Sequence, residues 1–355
     1  MPGFLGTAEH RVTFTYRGAT LPLGALDTKQ ITSLDYTRVL DDTSTCAVEV
    51  QIPGGSSECC RVLGDLRSWG HEVHVWRDGV DVWCGPVVNV TLRRDTATIL
   101  AADVTAWLDK RLVHSTLDYT ATGLGAADLA TIAAAVITDA FAPDDPNVLP
   151  YLTVALAGVV GERLIEAGKS RSGDELRELA RTGVDYTAVG RRIVLTGEVV
   201  TTTPLATLLQ DSFLASLEVV ERGDLAATSW RVVGDGVTGT AAVVEPFYGL
   251  LEDIVDEQSV RDTASATAAA QTRLDASNPV PLFLVVPEDA RLSPNAPVTF
   301  DQLVPGAVTR VLVSDYCRQV DQFMRLQRVR VASTPDSLDA VQITLAPLGT
   351  TTESA

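Results

Sequence analysis

Alternation of apolar and polar residues is the main pattern in the first hundred positions. Val12, Phe14 and Tyr16 share one side of a run whose other side is polar, which is the spacing of a half-buried strand. Similar patterns predict strands over 44–52, 71–76, 80–84, 87–92 and 96–101. Asp78-Gly79 is a typical hairpin turn, 53–56 predicts another turn, and Gly85-Pro86 predicts a kink. Several short strands separated by turns indicate a small barrel or sandwich.

The middle of the chain changes to helical spacing. An alanine-rich run over 126–142 predicts a helix that ends at Pro143. Ser172 and Glu175 have the spacing of a capping box, so a second helix is predicted to begin there and to end at Gly183. A hairpin over 184–196 is predicted to follow it.

Strand patterns return after residue 204 and predict a second β-rich block. The predicted strands are 217–221, 229–233, 240–244, 281–286, 307–313, 326–331 and 340–346. One long uncapped helix is predicted from Ile254 to Ala276. The sequence thus predicts a mainly β fold in which two small β-barrel domains flank an α+β insertion. The predicted domains are 1–118, 119–203 and 204–350, followed by a frayed tail over 351–355.

Composition limits the classes of partner. The chain has 355 residues, 46% of them hydrophobic and 21% charged, which predicts several folded domains rather than disorder. It has 28 Lys and Arg against 46 Asp and Glu, a net charge of −18. A general binder of nucleic-acid backbones or of acidic membranes needs clustered cations, so both classes are disfavoured. Neither a secretory signal nor an apolar run long enough to span a bilayer is present, so we expect a soluble protein made in a reducing cytoplasm.

The five cysteines do not indicate a disulfide or zinc framework. Their number is odd and no C-x-x-C pair occurs among Cys46, Cys59, Cys60, Cys84 and Cys317. Adjacent Cys59 and Cys60 would point to opposite faces of an extended strand, so they are unsuited to bridging. We therefore expect buried free thiols.

Two glycine-containing motifs resemble nucleotide-binding loops without meeting their requirements. Residues 234–239 read G-x-G-x-x-G, but β-branched residues follow where a helix should begin, so a glycine-rich hairpin is favoured. Residues 168–170 read G-K-S, but the upstream glycine of a phosphate loop is replaced by Arg163. A loop between two helices is the better interpretation.

Histidines and acidic residues likewise form no recognisable catalytic set. His71 and His74 would lie on opposite, exposed faces of a strand, and His10 and His114 are isolated. No cysteine has a neighbouring histidine in the sequence that would act as its base. The acidic groups at 41–42, 144–145 and 252–257 are interpreted as solvated, the last one favouring a helix N-terminus. We therefore expect no catalytic, cofactor-binding or metal-binding residue and no cofactor.

Four motifs in a fixed order resemble a known family. They are W-R-D-G-x3-W-C-G-P-V at 76–87, A-A-D-x3-W-L-D-K-R at 101–111, D-E-L-R-E-L-A at 174–180 and L-V-P-G at 303–306. Their order and spacing are similar to those of the tail-tip hub proteins of long-tailed bacteriophages, also called minor tail proteins. The resemblance extends over most of the chain.

The resemblance implies a structural, non-enzymatic role in the tail tip of the virion, after synthesis in the host cytoplasm. Such hubs carry two related β-barrels around an α+β insertion and assemble as homotrimers, which match a sixfold tail tube to a threefold tip. The implied partners are the distal tail protein, the tape measure protein and tip fibre or receptor-binding proteins. DNA would only pass through, repelled by an acidic conduit, and no membrane insertion by this chain is implied.

Two other functions stay open at this point. The first is a distal tail ring protein, which also begins with a barrel but forms a hexamer. The second is a wall-cleaving hydrolase that would use some of the acidic residues. Because the chain ends near Gly349 without an appended fibre, peptidase or lysin module, degradation of the cell wall is not expected.

Overall fold

The fold is described from a computed structural model. The described residues are 5–6, 8–19, 22–26, 30–52, 57–144, 146–197, 204–257, 260–278, 280–314, 317, 319–335 and 339–348. The predicted turn at 53–56, the tail at 351–355 and Asp145 lie outside them.

Strands predominate over helices, 44% against 20%, which confirms the mainly β prediction. The first strands are β1 His10–Tyr16, β2 Pro22–Leu26, β3 Ile31–Val39, β4 Thr45–Gln51, β5 His71–Arg77, β6 Val80–Leu92, β7 Thr96–Ala102 and β8 Leu117–Asp118. They are followed by β9 Ala127–Asp128, β10 Tyr151–Val154, β11 Val160–Gly161, β12 Leu164–Ile165, β13 Val184–Val189, β14 Arg192–Gly197, β15 Thr207–Leu209 and β16 Glu218–Glu221. The last are β17 Ser229–Val233, β18 Thr238–Ala242, β19 Glu252–Asp256, β20 Leu282–Val285, β21 Ala290–Arg291, β22 Val308–Val313, β23 Val320–Ser333 and β24 Ala340–Pro347.

The α-helices are α1 Ser57–Asp65, α2 Leu129–Phe141, α3 Ser172–Ala180 and α4 Thr263–Ser277. Short 3-10 helices occupy Val104–Lys110, Pro146–Val148, Gln210–Ser212, Gly223–Leu225 and Phe300–Gln302.

The chain divides into two compact units, and neither is a continuous segment. The first unit comprises Met1–Ser216, Pro287–Leu312 and Asp321–Ala355, and the second comprises Leu217–Val286 and Val313–Val320. These units do not follow the boundaries at 118 and 203 that the sequence suggests. The three-domain division stays a prediction.

The first unit is built on one large sheet that joins the two ends of the chain. Its strand order is β15-β22-β23-β3-β4-β7-β6-β5-β1-β2, with β24 also paired to β23 and β21 to β24. The join is the antiparallel pairing of 34–39 in β3 with 328–333 in β23. Within the described residues no closed barrel is found, so the two predicted β-barrels are not confirmed.

The insertion packs its helices against a small sheet of its own. Strand β14 pairs in parallel with β10 and antiparallel with β13, as predicted for the hairpin. A shared core of α2, α3, this sheet and the 3-10 helix Val104–Lys110 includes Trp107, Ile132, Leu176 and Tyr186. The predicted helices are therefore present, although α2 begins at Leu129, where the Asp128 side chain caps it.

The cap predicted for α3 is wrong. Arg171, not Ser172, is the N-cap residue, and no side chain caps the helix. Ser172 is instead buried, and within the described residues its hydroxyl has no hydrogen-bond partner. Gly183 lies two residues beyond the C-cap Arg181, so it follows the turn after the helix rather than ending the helix directly.

Two segments of the N-terminal half differ from the prediction. Cys59 and Cys60 lie on helix α1 instead of a strand, so Cys59 is buried while Cys60 is exposed. Cys317 is also exposed, and the five thiols are free. Strand β3, which the sequence analysis missed, has an alternating burial pattern and contributes the join between the chain ends.

The second unit contains a three-stranded sheet, β18-β17-β19, a β16-β20 ribbon and helix α4. The helix predicted over 254–276 is present from Thr263 onward, but its start is wrong, because the first predicted residues form β19. It is not uncapped either, since the Asp262 side chain accepts a hydrogen bond from Ser265 N at 2.8 Å. Ala266, Ala270 and Leu274 form its buried face, with the spacing of successive turns.

Strand β6 runs through Gly85-Pro86, where the sequence predicts a kink, and changes partner there. Its first half pairs with β5 and its second half with β7, so one continuous strand joins the two neighbours. At the change of partner the backbone of Ala102 approaches closely, and a Cβ added to Gly85 would lie 1.8 Å from the Ala102 carbonyl oxygen. The glycine is required here because no side chain would have space.

We expect Gly85→Ala to lower the free energy of unfolding by about 3 kcal/mol, because backbone rather than a mobile side chain must move aside. The matched control is Gly64→Ala on α1, where an added Cβ would contact nothing within 4 Å. Alanine is the better helix former, so the control should be neutral or stabilising by up to about 1 kcal/mol. Urea denaturation followed by circular dichroism measures both, and equal stability of the two variants would contradict the packing argument.

Candidate functional site

A polar face of the large sheet is the most distinctive chemical feature of the first unit. On β5, Val73 and Val75 are fully buried in the sheet core, so the alternating residues Glu72, His74 and Trp76 point to the opposite face. His74 pairs with Thr13 on β1 and with Cys84 on β6. Residues directly opposite one another share a face, and Cys84 therefore joins this polar row.

A bulge decides which residue of β6 faces His74. The turn at Asp78-Gly79 pairs Arg77 with Val80 and Trp76 with Asp81, and regular pairing would then place Trp83 opposite His74. The register instead shifts by one residue between Val75 and Trp76, so that Cys84 is opposite His74.

Hydrogen bonds define the orientation of the His74 ring. Its Nδ1 lies 2.8 Å from Asp81 Oδ2, and Nε2 lies 3.2 Å from Thr15 Oγ1 and 3.6 Å from Cys84 Sγ. Because the Asp81 carboxylate accepts hydrogen bonds, we assign the proton to Nδ1. The lone pair of Nε2 then faces Thr15 and Cys84.

Glu72 is a buried carboxylate that the Arg191 guanidinium contacts. Its side chain is 1% exposed, and Oε2 accepts a hydrogen bond from Arg191 Nε at 3.2 Å. Arg191 also donates to the carbonyl oxygens of Val148 and Leu149. Within the described part of the chain, no donor contacts the second oxygen, Glu72 Oε1. Half of this carboxylate is thus left without the hydrogen bonds that burial normally demands.

Arg191 reaches the sheet because of the turn that precedes it. Gly190 has a φ of 56° and forms a bridge with Trp83 of β6. A Cβ at Gly190 would lie 3.1 Å from the Asp81 carbonyl oxygen, so glycine allows the insertion hairpin to approach β6 closely.

A cleft of about 800 Å³ opens beside this polar face. His74, Asp81 and Arg191 line it, together with Thr13, Thr15 and Tyr151. Glu72 and Cys84 are not among its lining residues and are both 1% exposed. The cleft therefore reaches the histidine, while the thiol and the carboxylate lie beneath the surface.

Cys84 is a neutral thiol in this environment. Burial raises the pKa of the Cys84 thiol well above its usual value, and the carboxylates of Glu72 and Asp81 raise it further. A reactive cysteine needs the thiolate and access to its substrate, so the arrangement of Cys84, His74 and Asp81 does not favour nucleophilic catalysis. Nitrogen, sulfur and oxygen ligands close together are, however, a donor set that zinc accepts.

The surroundings of two histidines and of Cys84 differ from what the sequence suggests. His71 and His74 do lie on opposite faces, but neither is exposed, since His71 is buried against Tyr16 and His74 is half-buried. Cys84 does have a histidine neighbour, which the linear sequence did not reveal. The usable pattern was the i, i+2 spacing of Glu72 and His74, which places both side chains on one face of a strand.

The other candidates of the sequence analysis lie elsewhere. Residues 234–239 form the hairpin between β17 and β18, as predicted. Gly168 is in a turn between β12 and α3, so this loop connects a strand to a helix rather than two helices. The acidic residues of 252–256 lie on strand β19 and do not begin a helix. His10 is not isolated, because its Nδ1 is 3.7 Å from Asp339 Oδ1 in the interior.

One residue of each Asp pair, Asp144 and Asp41, has contacts that a fully solvated carboxylate would not have. Asp144 forms ion pairs with Arg17 and Arg111. Asp41 has a φ of 59° and accepts a hydrogen bond from the backbone N–H of Tyr186 at 2.8 Å. Both residues therefore connect the insertion to neighbouring segments of the first unit.

Comparison with known proteins identifies the fold. No protein-family model matches the chain, and no curated protein matches its sequence. Among solved structures, the 43 kDa tail protein of prophage MuSo2 from Shewanella oneidensis is 13% identical; the match covers 94% of this chain and 97% of that one, with a TM-score of 0.57. A tail protein from Neisseria meningitidis MC58 is 12% identical over 94% of this chain and 96% of that one, with a TM-score of 0.53.

A chain of the lidded PdpA-VgrG complex of Francisella is also similar. It is 9% identical, with a TM-score of 0.53, and the match covers 97% of this chain but 53% of that one. At these identities the similarity concerns the fold. The resemblance to phage tail proteins that the sequence motifs indicate is thus confirmed at that level. No helix among the described residues is long and apolar enough to cross a membrane.

We expect Arg191→Met to lower the free energy of unfolding by about 3 kcal/mol, because it leaves the Glu72 carboxylate buried without its cation. The double variant Glu72→Gln with Arg191→Met should lose less free energy of unfolding than the sum of the losses in the two single variants. Arg181→Met is the matched control, since Arg181 pairs with Glu178 on the exposed surface of α3, and it should change stability by no more than about 0.5 kcal/mol. Urea denaturation measures all four variants, and strict additivity would contradict the coupling.

Proposed function

We propose that the chain is a structural hub of a bacteriophage tail tip, assembled as a homotrimeric ring that connects the tail tube to the tip. The observation that carries this proposal is the fold match to a prophage tail protein, which extends over 94% of this chain and 97% of that one. A match of nearly full length on both sides favours a shared architecture rather than one shared module. The proposed location is the tail tip of the virion.

An exposed apolar segment of the second unit supports an assembly role. Val244 is 93% exposed and Phe247 is 87% exposed, and Leu250 and Ile254 are also mostly exposed. Isolated apolar residues are ordinary on a protein surface, but a concentration within eleven positions is typical of a surface that a partner covers. We propose that another copy of the chain covers this segment, which we call the 244–254 segment.

The charge of the chain supports a conduit for DNA. Each chain carries a net charge of −18, so three copies carry 3 × 18 = 54 excess negative charges. Phosphates would be held by a basic wall through many counterion-releasing contacts, whereas an acidic wall repels them. Salt screens this repulsion over about 8 Å, so an acidic channel wall adds little electrostatic free energy to the assembled particle. DNA is accordingly proposed as cargo in transit and not as a bound ligand.

The proposed role is non-enzymatic. The nearest approach to a catalytic set, Cys84 with His74 and Asp81, contains a buried neutral thiol that the cleft does not reach. The proposed partners are further copies of the chain, the distal tail protein, the tape measure protein and tip fibre or receptor-binding proteins.

Particle mass tests the assembly. Three chains of 37.8 kDa form a particle of about 113 kDa, whereas the six chains of a distal tail ring would form one of about 227 kDa. We expect light scattering after size exclusion to give the trimer mass. A hexamer mass would favour the distal ring instead, and a monomer at high concentration would contradict both. A threefold reconstruction of the same particle should show acidic side chains outnumbering basic ones on the channel wall.

We expect Phe247→Asp to weaken the trimer at least tenfold, because the substitution places a charge in an apolar contact between copies. The control is Ala264→Asp, which adds the same charge at an exposed position of the second unit. Ala264 lies in the first turn of α4, where a negative charge is favourable. Sedimentation equilibrium measures both variants, and an unchanged trimer in Phe247→Asp would show that the 244–254 segment does not mediate self-association.

A further inference from the structure

The polar face of β5 and β6 brings together three side chains that the proposed structural role does not use. A carboxylate oxygen of Glu72, a ring nitrogen of His74 and the sulfur of Cys84 all lie within 4.8 Å of one another. Within the described residues, this is the one group of three or more such ligands. We propose that Glu72, His74 and Cys84 bind one divalent transition-metal ion, and that Zn²⁺ matches the donor set best.

The separation of two of the ligands already suits zinc. Sulfur at about 2.3 Å and nitrogen at about 2.1 Å from a tetrahedral zinc ion are about 3.6 Å apart. His74 Nε2 and Cys84 Sγ are 3.6 Å apart. The two residues are directly opposite each other on paired strands, so the backbone holds this separation without help from a metal. The site is therefore preorganised.

The histidine is also oriented as a ligand. Its Nδ1 is hydrogen-bonded to Asp81 Oδ2 at 2.8 Å, which leaves the Nε2 lone pair directed toward Cys84. A carboxylate that accepts a hydrogen bond from the second ring nitrogen is a recurrent feature of zinc sites, because it fixes the ring and increases its basicity. Asp81 is thus a positioning residue and not a ligand.

The incomplete hydrogen bonding of the Glu72 carboxylate also points to a bound cation. One oxygen is held by Arg191, while within the described residues the other oxygen, Oε1, has no hydrogen-bond partner. The side chain is 1% exposed, so bulk water does not supply the missing contact. A metal ion bound beside it would satisfy this oxygen.

Charge balance favours a divalent ion. Glu72 and Asp81 are each negative and Arg191 is positive, which leaves the cluster with one net negative charge. Binding of M²⁺ forms the metal–sulfur bond as the Cys84 thiol releases its proton to solvent, a net gain of one positive charge. The occupied cluster is then neutral. The cleft reaches His74 but neither Cys84 nor Glu72, so the ion would enter past the histidine, and the fourth ligand would come from the histidine side.

Metal titration of the full-length chain tests the proposal. The purified protein is treated with a chelator, dialysed and titrated with Zn²⁺, and elemental mass spectrometry counts the bound ion. We expect one ion per chain and one proton released per ion. Co²⁺ serves as the spectroscopic probe, since a thiolate ligand gives a charge-transfer band in the near ultraviolet.

Variants assign the ligands. Cys84→Ser and His74→Asn should weaken Zn²⁺ binding more than 100-fold, and Cys84→Ser should also remove the cobalt–thiolate band. Asp81→Asn should weaken binding by about 10- to 100-fold, as expected for a residue that orients a ligand. The matched control is Cys46→Ser, which removes another buried free thiol on β4 and should leave affinity and spectrum unchanged.

Each outcome decides for or against the site. The proposal would be overturned if the wild-type chain did not bind Zn²⁺ or if Cys84→Ser retained the cobalt–thiolate band. It would also be overturned if Cys46→Ser lost as much Zn²⁺ affinity as Cys84→Ser. Circular dichroism identifies any variant that fails to fold. In that case the wild-type measurements decide, because a cobalt complex without a sulfur band or without proton release excludes Cys84 as a ligand.

Discussion

The pairing of β3 with β23 is the interaction on which the first unit depends. It places residues about 300 positions apart side by side, as in the paired strands that carry Asp35 and Arg330. The Arg330 guanidinium donates to both oxygens of Asp35 and so reinforces the pairing across the two strands. Long-range pairing of this kind requires both ends of the chain before either can complete its sheet.

Buried arginines extend this connection into the interior. Arg38 donates to the carbonyl oxygens of Leu303 and Val82, and so joins a C-terminal loop to β6. Its guanidinium is 4.5 Å from the centre of the Phe300 ring, and Arg77 is 4.7 Å from the same ring. Burial lowers the pKa of Arg38 to about 10, which leaves it charged at neutral pH. Charges placed so deeply are costly unless every contact is in position, and they therefore favour one arrangement of the two chain ends.

The polar cluster of Glu72, His74 and Cys84 depends on the large sheet and on the insertion. Within the sheet, β5 and β6 pair in the shifted register that brings Cys84 opposite His74. The insertion supplies Arg191, which neutralises Glu72. All of these residues belong to the first unit, whereas the exposed apolar segment belongs to the second unit. The chemistry that stabilises the fold and the surface proposed for assembly are thus carried by different parts of the chain.

Local patterns in the sequence were sufficient for much of the fold. The hairpins at 71–84 and 184–196, helices α2 and α3, and most of the C-terminal strands follow from apolar spacing and from turn residues. The same local rules failed over 254–256, where acidic residues that suit a helix N-terminus instead lie on the short strand β19. That strand is held in place by its parallel pairing with β17, a contact that no local pattern encodes.

The candidate site was decided by tertiary structure. The sequence determined that Glu72 and His74 share a face, because alternate residues of a strand always do. It did not determine the partner of His74, since a two-residue turn at Asp78-Gly79 predicts Trp83 there and only the bulge substitutes Cys84. It also did not determine the nearby cation, because Arg191 reaches Glu72 through the packing of a hairpin more than 100 residues away. Periodicity is a property of neighbouring residues, whereas register shifts and long-range contacts depend on the free energy of the whole packed unit.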